Sequence, residues 1–384
     1  MCISSVLAML NNSLIDSPAM KYTVYAILLL FIGWSFNIAY KYHSKFYQGS
    51  VAWFLLFVIA NILISPYDPL YPRIIKFIGY VSCFAIGYII QERGLSLKYN
   101  KFLLYTLILL PVFLVTFFDH TAHKTVFFVL SNTYSYFGLT CALFIMTIKG
   151  ESKSIYWWSA SLLGLYIISC STLGIVAAIF GSIMMLNYRN VTLLLVSAIF
   201  FIIVSLLVVY SNISVFVRIR DVINLTLSLS WYDWTHLKDM DFYEITRNVD
   251  MESNRTDNGS FLWRLSYWMK ILDYYIDNWY YAIIFGLGDG FVQKKLGLLC
   301  HNEYIKILTE NGIIVFGIVI NWIVKVHEIL RKQHVYYLIL AAFVYHFTEN
   351  LIDTFVANAL FYFCIGFNCC KYQQAQGKKA ICLR

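Results

Sequence analysis

Long runs of apolar residues alternate with short polar stretches along most of this chain. The runs cover residues 22–40, 51–65, 74–90, 101–118, 125–147, 154–170, 172–187, 191–210, 303–324, 335–349 and 351–369. They are continuous, without the polar stripe of a helix on the surface of a soluble protein. A helix needs ~20 apolar residues, within a range of ~17–25, to cross a bilayer. The pattern therefore predicts an all-α, polytopic transmembrane helical bundle of about 11 spans, and roughly 10–12 fit the shorter runs.

Composition supports a membrane environment. Hydrophobic residues make up 60% of the chain and charged residues 13%, and the mean hydropathy is +0.67. Soluble domains have roughly 45–50% apolar and ~25% charged residues, so the excess apolar surface requires lipid as its solvent. The net charge of +8 does not indicate nucleic-acid binding. The basic residues instead fall in loops where the positive-inside rule already explains them.

Lys and Arg cluster in every second loop and in the C-terminal tail. These residues are Lys41, Lys45, Arg93, Lys98, Lys101, Lys149, Lys153, Arg189, Lys325, Arg331, Lys332, Lys371, Lys378, Lys379 and Arg384. Short cytoplasmic loops carry an excess of Lys and Arg, so a single topology places all of them inside, with a cytoplasmic C-terminus. Eleven spans would place residues 1–20 outside, whereas one further membrane-embedded segment would place them inside.

This topology divides the chain into three parts. Residues 1–210 form N-terminal transmembrane helices, residues 211–300 form a large periplasmic loop with a Gly-rich turn, and residues 301–384 form C-terminal transmembrane helices and a tail. The loop is rich in charged residues interleaved with Trp and Tyr. Aromatic faces beside polar groups suit sugar rings, and Trp and Tyr equally suit a belt at the bilayer surface. Both interpretations stay open from the loop alone.

The candidate chemistry lies at the end of this loop. Arg264 sits in an aromatic segment, Gly286 and Gly288 form a Gly-rich turn, and His301-Asn302 begin the next apolar helix. No strand–turn–helix unit surrounds the glycines, which argues against a nucleotide-binding fold. Ionisable groups at membrane depth are functional candidates, although an interfacial helix cap also accounts for a histidine at this place.

The order of these residues resembles the signature region of the bacterial O-antigen ligase and O-antigen polymerase superfamily. The matching residues are Arg264, Gly286-Leu287-Gly288, His301-Asn302, Glu310, Gly312 and Gly317. The close motif similarity covers residues 260–320, and the arrangement of spans around one large outside loop is similar over nearly the whole chain. A Ser-x-Ser-Arg-like stretch of that family corresponds here to Ser169-Cys170-Ser171-Thr172, which has no Arg.

The resemblance implies a glycosyltransferase of the bacterial inner membrane, with its active site on the periplasmic face. The donor would be a glycan on undecaprenyl diphosphate, and neither a cofactor nor a metal is required. The implied partners are this lipid-linked oligosaccharide, membrane lipids, and a chain-length regulator and flippase of the same pathway. The acceptor hydroxyl attacks the anomeric carbon, and the lipid diphosphate leaves.

This chemistry assigns roles to particular side chains. A diphosphate needs cationic donors, and the planar fork of Arg264 suits its oxygens. An acceptor hydroxyl needs a base near neutral pH, which points to His301. The predicted substrate-binding residues are Arg73, Arg218, Arg220, Asn302, Glu303, Gly286 and Gly288. Snorkelling to lipid phosphates is an equal explanation for Arg73 and Arg218.

Further polar residues have simpler explanations. Asp353 could match an acidic position in some family members. Asp119-His120 and His123 could bind a metal, but the polarity of an outside turn explains them better. The nine cysteines contain no CxxC pair and are explained as small apolar residues of packed helices.

Polymerase and ligase share the predicted core. A polymerase extends another lipid-linked repeat unit, whereas a ligase transfers the glycan to the lipid A core. The chain is rich in Tyr, Phe and Ile and in this resembles the divergent polymerases of surface-polysaccharide gene clusters, a resemblance that favours the polymerase. A transporter or flippase of lipid-linked oligosaccharide is an alternative of another class, but it typically shows inverted repeats and broken helices, and no repeat is visible here. A structural membrane protein would predict no dependence on His301.

Overall fold

The described part of the chain is helical throughout. The computed structural model describes residues 71–95, 131–150, 152–170, 226–239, 260–297, 299–351 and 354–375, with isolated positions between them. These ranges form helices joined by turns, with no strand among them, which confirms the all-α class. Apart from isolated positions, the predicted spans 22–40, 51–65, 101–118, 172–187 and 191–210 lie outside these ranges. The total number of spans therefore stays a prediction.

Ten helices are numbered here in chain order within the described ranges. They are α1 Tyr71–Glu92, α2 Ser131–Lys149, α3 Lys153–Cys170, α4 Trp231–Thr235, α5 Ser260–Asp277, α6 Trp279–Phe285, α7 Phe291–Leu296, α8 Glu303–Leu330, α9 Tyr336–Tyr345 and α10 Phe355–Ala375. Local chemistry sets several ends. The Ser152 hydroxyl accepts the Ile155 amide at 3.3 Å at the start of α3. Gly94 and Gly150, both at positive φ, follow the ends of α1 and α2.

Two glycines let α1 and α10 cross at very short range. A Cβ on Gly87 of α1 would overlap the Phe363 carbonyl of α10, and a Cβ on Gly366 would overlap the Phe84 carbonyl of α1. Helix pairs in membranes use small residues in this way to bring their backbones together. The crossing fixes α10 against α1.

Hydrogen bonds between side chains join α2 to the C-terminal helices. Asn368 of α10 donates to the Thr147 hydroxyl at 2.9 Å, and Ser135 of α2 lies 3.2 Å from the Tyr345 hydroxyl of α9. The buried apolar side chains of α1, α2, α9 and α10 form one core with the last turns of α8. A polar pair inside such a core specifies one arrangement of the helices, because an unpaired group would be costly.

A second, smaller apolar core forms beside the first half of α8. It is built from α5, α6 and α7, with Tyr267, Ile271 and Phe291 among its buried members, and Ile305 and Leu308 of α8 pack against it. Helix α8 therefore contributes its first half to this core and its last turns to the larger one.

Helix α8 is a candidate membrane span. Within the described residues it is the one helix found to be long and apolar enough to cross a bilayer, with 28 residues and a mean hydropathy of 1.9 in its most apolar stretch. Only 17% of that stretch is buried in the protein. Most of this apolar surface is therefore not covered by other parts of the chain.

The predicted span 335–349 is helical in the structure only over Tyr336–Tyr345. Ten residues give a helix of ~15 Å, shorter than the ~30 Å hydrocarbon core. The chain leaves the helix at His346, and the following turn carries Glu349 towards α5 and α8.

Candidate functional site

One carboxylate joins the two residues that the sequence predicts to be catalytic. Arg264 Nη2 of α5 donates to Glu349 Oε1 at 2.7 Å. His301 Nδ1, just before α8, lies 3.1 Å from Glu349 Oε2. Glu349 follows Arg264 by 85 residues and His301 by 48 residues. The tertiary fold therefore assembles an Arg264–Glu349–His301 triad.

The contact with Glu349 favours one tautomer of the imidazole ring. Because an ionised carboxylate can only accept hydrogen bonds, the tautomer that fits this contact carries its proton on Nδ1. In a neutral imidazole Nε2 is then the unprotonated, basic nitrogen. The His301 side chain keeps 17% of its surface exposed, whereas that of Glu349 keeps 6%. The imidazole is therefore the more accessible of the two side chains, and the carboxylate is nearly buried.

Backbone geometry turns His301 out of the helix that follows. Its φ of 50° is the one positive value at a non-glycine residue among the described positions. Such values are uncommon and cluster at functional sites, and histidine is one of the residues that tolerate them. Asn302 then caps α8, because its Oδ1 accepts the amides of Tyr304 and Ile305, both at 3.0 Å.

The residue before the histidine is also fixed. Trp268 Nε1 of α5 donates to the Cys300 carbonyl at 2.7 Å. Burial raises the pKa of the Cys300 thiol well above its usual range. The thiol therefore stays protonated near neutral pH, and Cys300 has a packing role here.

The predicted Gly-rich turn packs directly against α8. Gly312 breaks α8 with φ 78° and ψ 177°, so carbonyls just before the break can accept bonds from outside the helix. Leu287 N donates to the Thr309 carbonyl at 2.7 Å, and Gly288 N donates to the Glu310 carbonyl at 3.1 Å. A Cβ on Gly286 would overlap the backbone of Glu310. The turn and the break therefore fit only as glycines.

Charged side chains are buried on the first half of α8 and in the adjoining turn. They are Asp289, Glu303, Lys306 and Glu310. Glu310 Oε1 accepts the Val292 amide at 3.1 Å and so holds the start of α7. Glu303 N donates to the His346 carbonyl at 2.9 Å, which ties the N-terminus of α8 to the turn that carries Glu349.

Two hydrogen bonds from the bundle hold that turn at both ends. The Tyr136 hydroxyl of α2 lies 3.2 Å from His346 Nε2 and donates to Asn358 Oδ1 at 2.9 Å. Asn358 Nδ2 in turn donates to the Leu351 carbonyl. Residues 346 and 351 bracket Glu349, so the position of its carboxylate depends on the packing of α2 and α10.

An aromatic side chain lies beside the imidazole. Trp263 of α5 is stacked on Tyr267 with ring centroids 5.7 Å apart, and it meets the His301 ring edge-on at 5.3 Å. Both Trp263 and His301 are partly exposed. An indole next to a base offers an apolar face to a ring-shaped substrate.

Of the other predicted substrate-binding residues, the structure places some beside His301 and the Gly-rich turn, and it does not describe others. Asn302 and Glu303 lie buried at the start of α8, next to His301. The turn at Gly286 and Gly288 contacts the α8 backbone. Arg220 is helical and partly buried. Arg218 and the side chain of Arg73 lie outside the described part of the chain, as do Asp119, His120, His123 and Asp353.

Sequence reasoning missed Glu349. The residue ends an apolar run, next to a predicted outside turn, and a carboxylate at such depth is a signal that could have identified it. Among the described residues no group of three or more His, Cys, Asp or Glu side chains is arranged to hold a metal ion. No family model matches this sequence, and no curated protein or solved structure is significantly similar to it.

Proposed function

We propose that this protein is a membrane glycosyltransferase that uses an undecaprenyl-diphosphate-linked glycan as its donor and acts as a surface-polysaccharide polymerase. The observation that supports the proposal best is the Arg264–Glu349–His301 triad, which combines a cation and an oriented base. The order of Arg264, the Gly turn and His301 along the chain, which resembles the O-antigen ligase and polymerase superfamily, supplies the substrate class.

The base acts on the acceptor. His301 Nε2 removes the proton of the acceptor hydroxyl as that oxygen forms a bond to the anomeric carbon of the donor sugar. Glu349 holds Nδ1–H and stabilises the imidazolium that results, as the carboxylate does in a Ser-His-Asp triad. The proton ends on His301 and leaves to water when the product departs.

The cation acts on the leaving group. The bond between the anomeric carbon and the phosphate oxygen breaks, and its electron pair stays on the diphosphate. Arg264 donates through Nη2 to Glu349, and its guanidinium is the cation of the triad. A planar cation of this kind stabilises the negative charge that develops on the phosphate oxygens of the leaving group. Because the diphosphate is already a good anionic leaving group, this mechanism requires no metal.

The experiment is transfer by the purified full chain in lipid vesicles that contain a lipid-linked repeat unit. The proposal expects a ladder of lipid-linked chains of increasing length from the wild type and none from His301→Ala. A single transfer to added lipid A core, without a ladder, would make the protein a ligase. Movement of the donor across the bilayer without any new glycosidic bond would make it a flippase and overturn the proposal.

A further inference from the structure

Helix α6 exposes almost its whole surface. Of its seven residues, Trp279–Phe285, only Ala282 is buried. Tyr280 is 72% exposed, and Trp279 and Phe285 are about as open at 61% and 60%. The stretch 278–288 has no charged residue. Contiguous apolar surface of this kind on a protein marks an interaction site.

Helix α6 packs against α8 at the level where the residues of α8 change from charged to apolar. The turn after α6 bonds to the carbonyls of Thr309 and Glu310, and Gly312 packs against the Ile284 carbonyl. Before this level α8 carries its charged residues, and beyond it no charge occurs until Lys325. Helix α6 therefore lies where α8 changes from polar to apolar.

The exposed apolar surface continues from α6 onto α8. Ile283 and Ile284 are exposed on α6, and Ile313 and Ile314 are exposed on α8 immediately after the glycine break. Because Ile284 touches that break, the two surfaces adjoin. The exposed Trp and Tyr side chains of α6, together with its Ile and Phe side chains, are residue types that suit the boundary between lipid headgroups and acyl chains.

We propose that α6 is an interfacial helix that lies in the outer boundary of the bilayer and contacts phospholipid directly. The proposal rests on the membrane placement of α8 proposed above and does not depend on the transfer reaction. Helix α5 precedes α6 with only Asn278 between them. A membrane-bound α6 therefore anchors the C-terminal end of α5 at the lipid surface.

The test is photo-crosslinking of the full chain in phosphatidylcholine–phosphatidylglycerol vesicles that contain a radiolabelled phospholipid. The photoreactive residue p-benzoylphenylalanine replaces Tyr280 or Ile284, both of which are exposed. The matched control replaces Lys270, an exposed residue on α5. Size-exclusion profiles and circular dichroism check that each variant folds as the wild type does.

The proposal expects labelled phospholipid on the chain at positions 280 and 284, severalfold above position 270. Labelling at both positions no stronger than at 270 would overturn it. Crosslinks from 280 and 284 to a second copy of the chain or to another protein, in place of lipid, would also overturn it. The readout needs no glycan substrate, so an inactive protein that still labels with lipid would contradict the proposed reaction and leave α6 at the membrane.

Discussion

At the scale of single residues, Glu349 is the centre of the site because its carboxylate contacts both the Arg264 guanidinium and the His301 imidazole. The guanidinium of Arg264 lies 2.7 Å from the carboxylate and supplies its counter-charge even when His301 is neutral. When His301 takes a proton, the same carboxylate stabilises the new cation. In the proposed reaction Glu349 acts on a substrate proton only through His301, which makes it a positioning residue.

Replacing Glu349 with Gln tests this role. The amide keeps the size of the side chain but no longer fixes the Nδ1–H form of His301, because it can either donate or accept. We expect kcat for transfer to fall by about 10²–10⁴-fold, the usual contribution of a general base, with little change in KM. Steady-state kinetics of the reconstituted protein would measure both.

The matched control is Glu328→Gln, since Glu328 is exposed near the end of α8. It should transfer at the wild-type rate. A Glu349→Gln protein that folds normally and keeps the wild-type kcat would show that the imidazole needs no carboxylate.

At the scale of elements, α8 changes at Gly312 from a segment with buried charged side chains to an apolar segment. Its first half is capped by Asn302 and buries charged side chains, and its second half is apolar and largely exposed. The break at Gly312 allows the Gly-rich turn to bond to the α8 backbone. An interrupted helix can keep irregular backbone at membrane depth only where neighbouring protein satisfies it, and the turn at Leu287 and Gly288 does this.

Gly312→Ala should destabilise the protein strongly. Its backbone lies in a region that is open essentially to glycine alone, at a cost of about 1–3 kcal/mol for other residues. A Cβ would also overlap the Ile284 carbonyl. We expect a clear loss of thermal stability in detergent, measured by circular dichroism. Gly317→Ala in the same helix has open space around it and should be neutral or slightly stabilising.

The cap of α8 makes a separate prediction. Asn302→Ala removes the acceptor for the Tyr304 and Ile305 amides and should cost about 1 kcal/mol of stability. Asn302→Ser keeps a cap acceptor and places no charge at this buried position. Thermal unfolding should therefore rank wild type and Asn302→Ser above Asn302→Ala. Equal losses in both variants would mean that the packing of the Asn302 side chain, and not the cap, stabilises this region.

At the scale of the molecule, the position of Glu349 depends on the helical bundle that packs against its turn. Helices α2 and α10 hold the turn around Glu349 through Tyr136 and Asn358. Helix α10 is in turn fixed against α1 by the crossing at Gly87 and Gly366. A change in this crossing should therefore shift Glu349 through α10, although no residue of the triad is itself replaced.

Gly366→Ala tests that dependence. The added methyl group would overlap the Phe84 carbonyl and push α1 and α10 apart. We expect lower thermal stability together with reduced transfer, whereas Gly164→Ala in α3, where nothing lies within 4 Å, should change neither. A Gly366→Ala protein as stable as the wild type would show that the two helices do not need this close contact.

The fold was predictable where local sequence dominates. The apolar runs at 74–90, 154–170 and 303–324 correspond to α1, α3 and the first part of α8, because a continuous run of apolar residues is read from the chain alone. The run 335–349 was not one long helix. The last residues of this run lie outside α9, where Glu349 pairs with Arg264 of α5 and with His301 just before α8. Such pairing depends on residues far away in the chain and cannot be read from the run itself.

The site was predictable in part for the same reason. Arg264 and His301 were identified from the order of a short motif, and the structure places them on either side of one carboxylate. Glu349 lies outside that motif, and only the tertiary packing brings it close. The glycines of the turn were identified as well, but their contacts with the backbone of α8 required the structure.

In the proposed reaction Arg264, Glu349 and His301 act as one unit in glycosyl transfer. The most direct measurement compares the transfer rates of His301→Ala, Glu349→Gln and the double variant in vesicles, with His334→Ala as the exposed control. Residues that act as a unit are strongly non-additive. We therefore predict that the double variant is as slow as His301→Ala alone, while His334→Ala keeps the wild-type rate. Full transfer activity in a normally inserted His301→Ala protein would contradict the account.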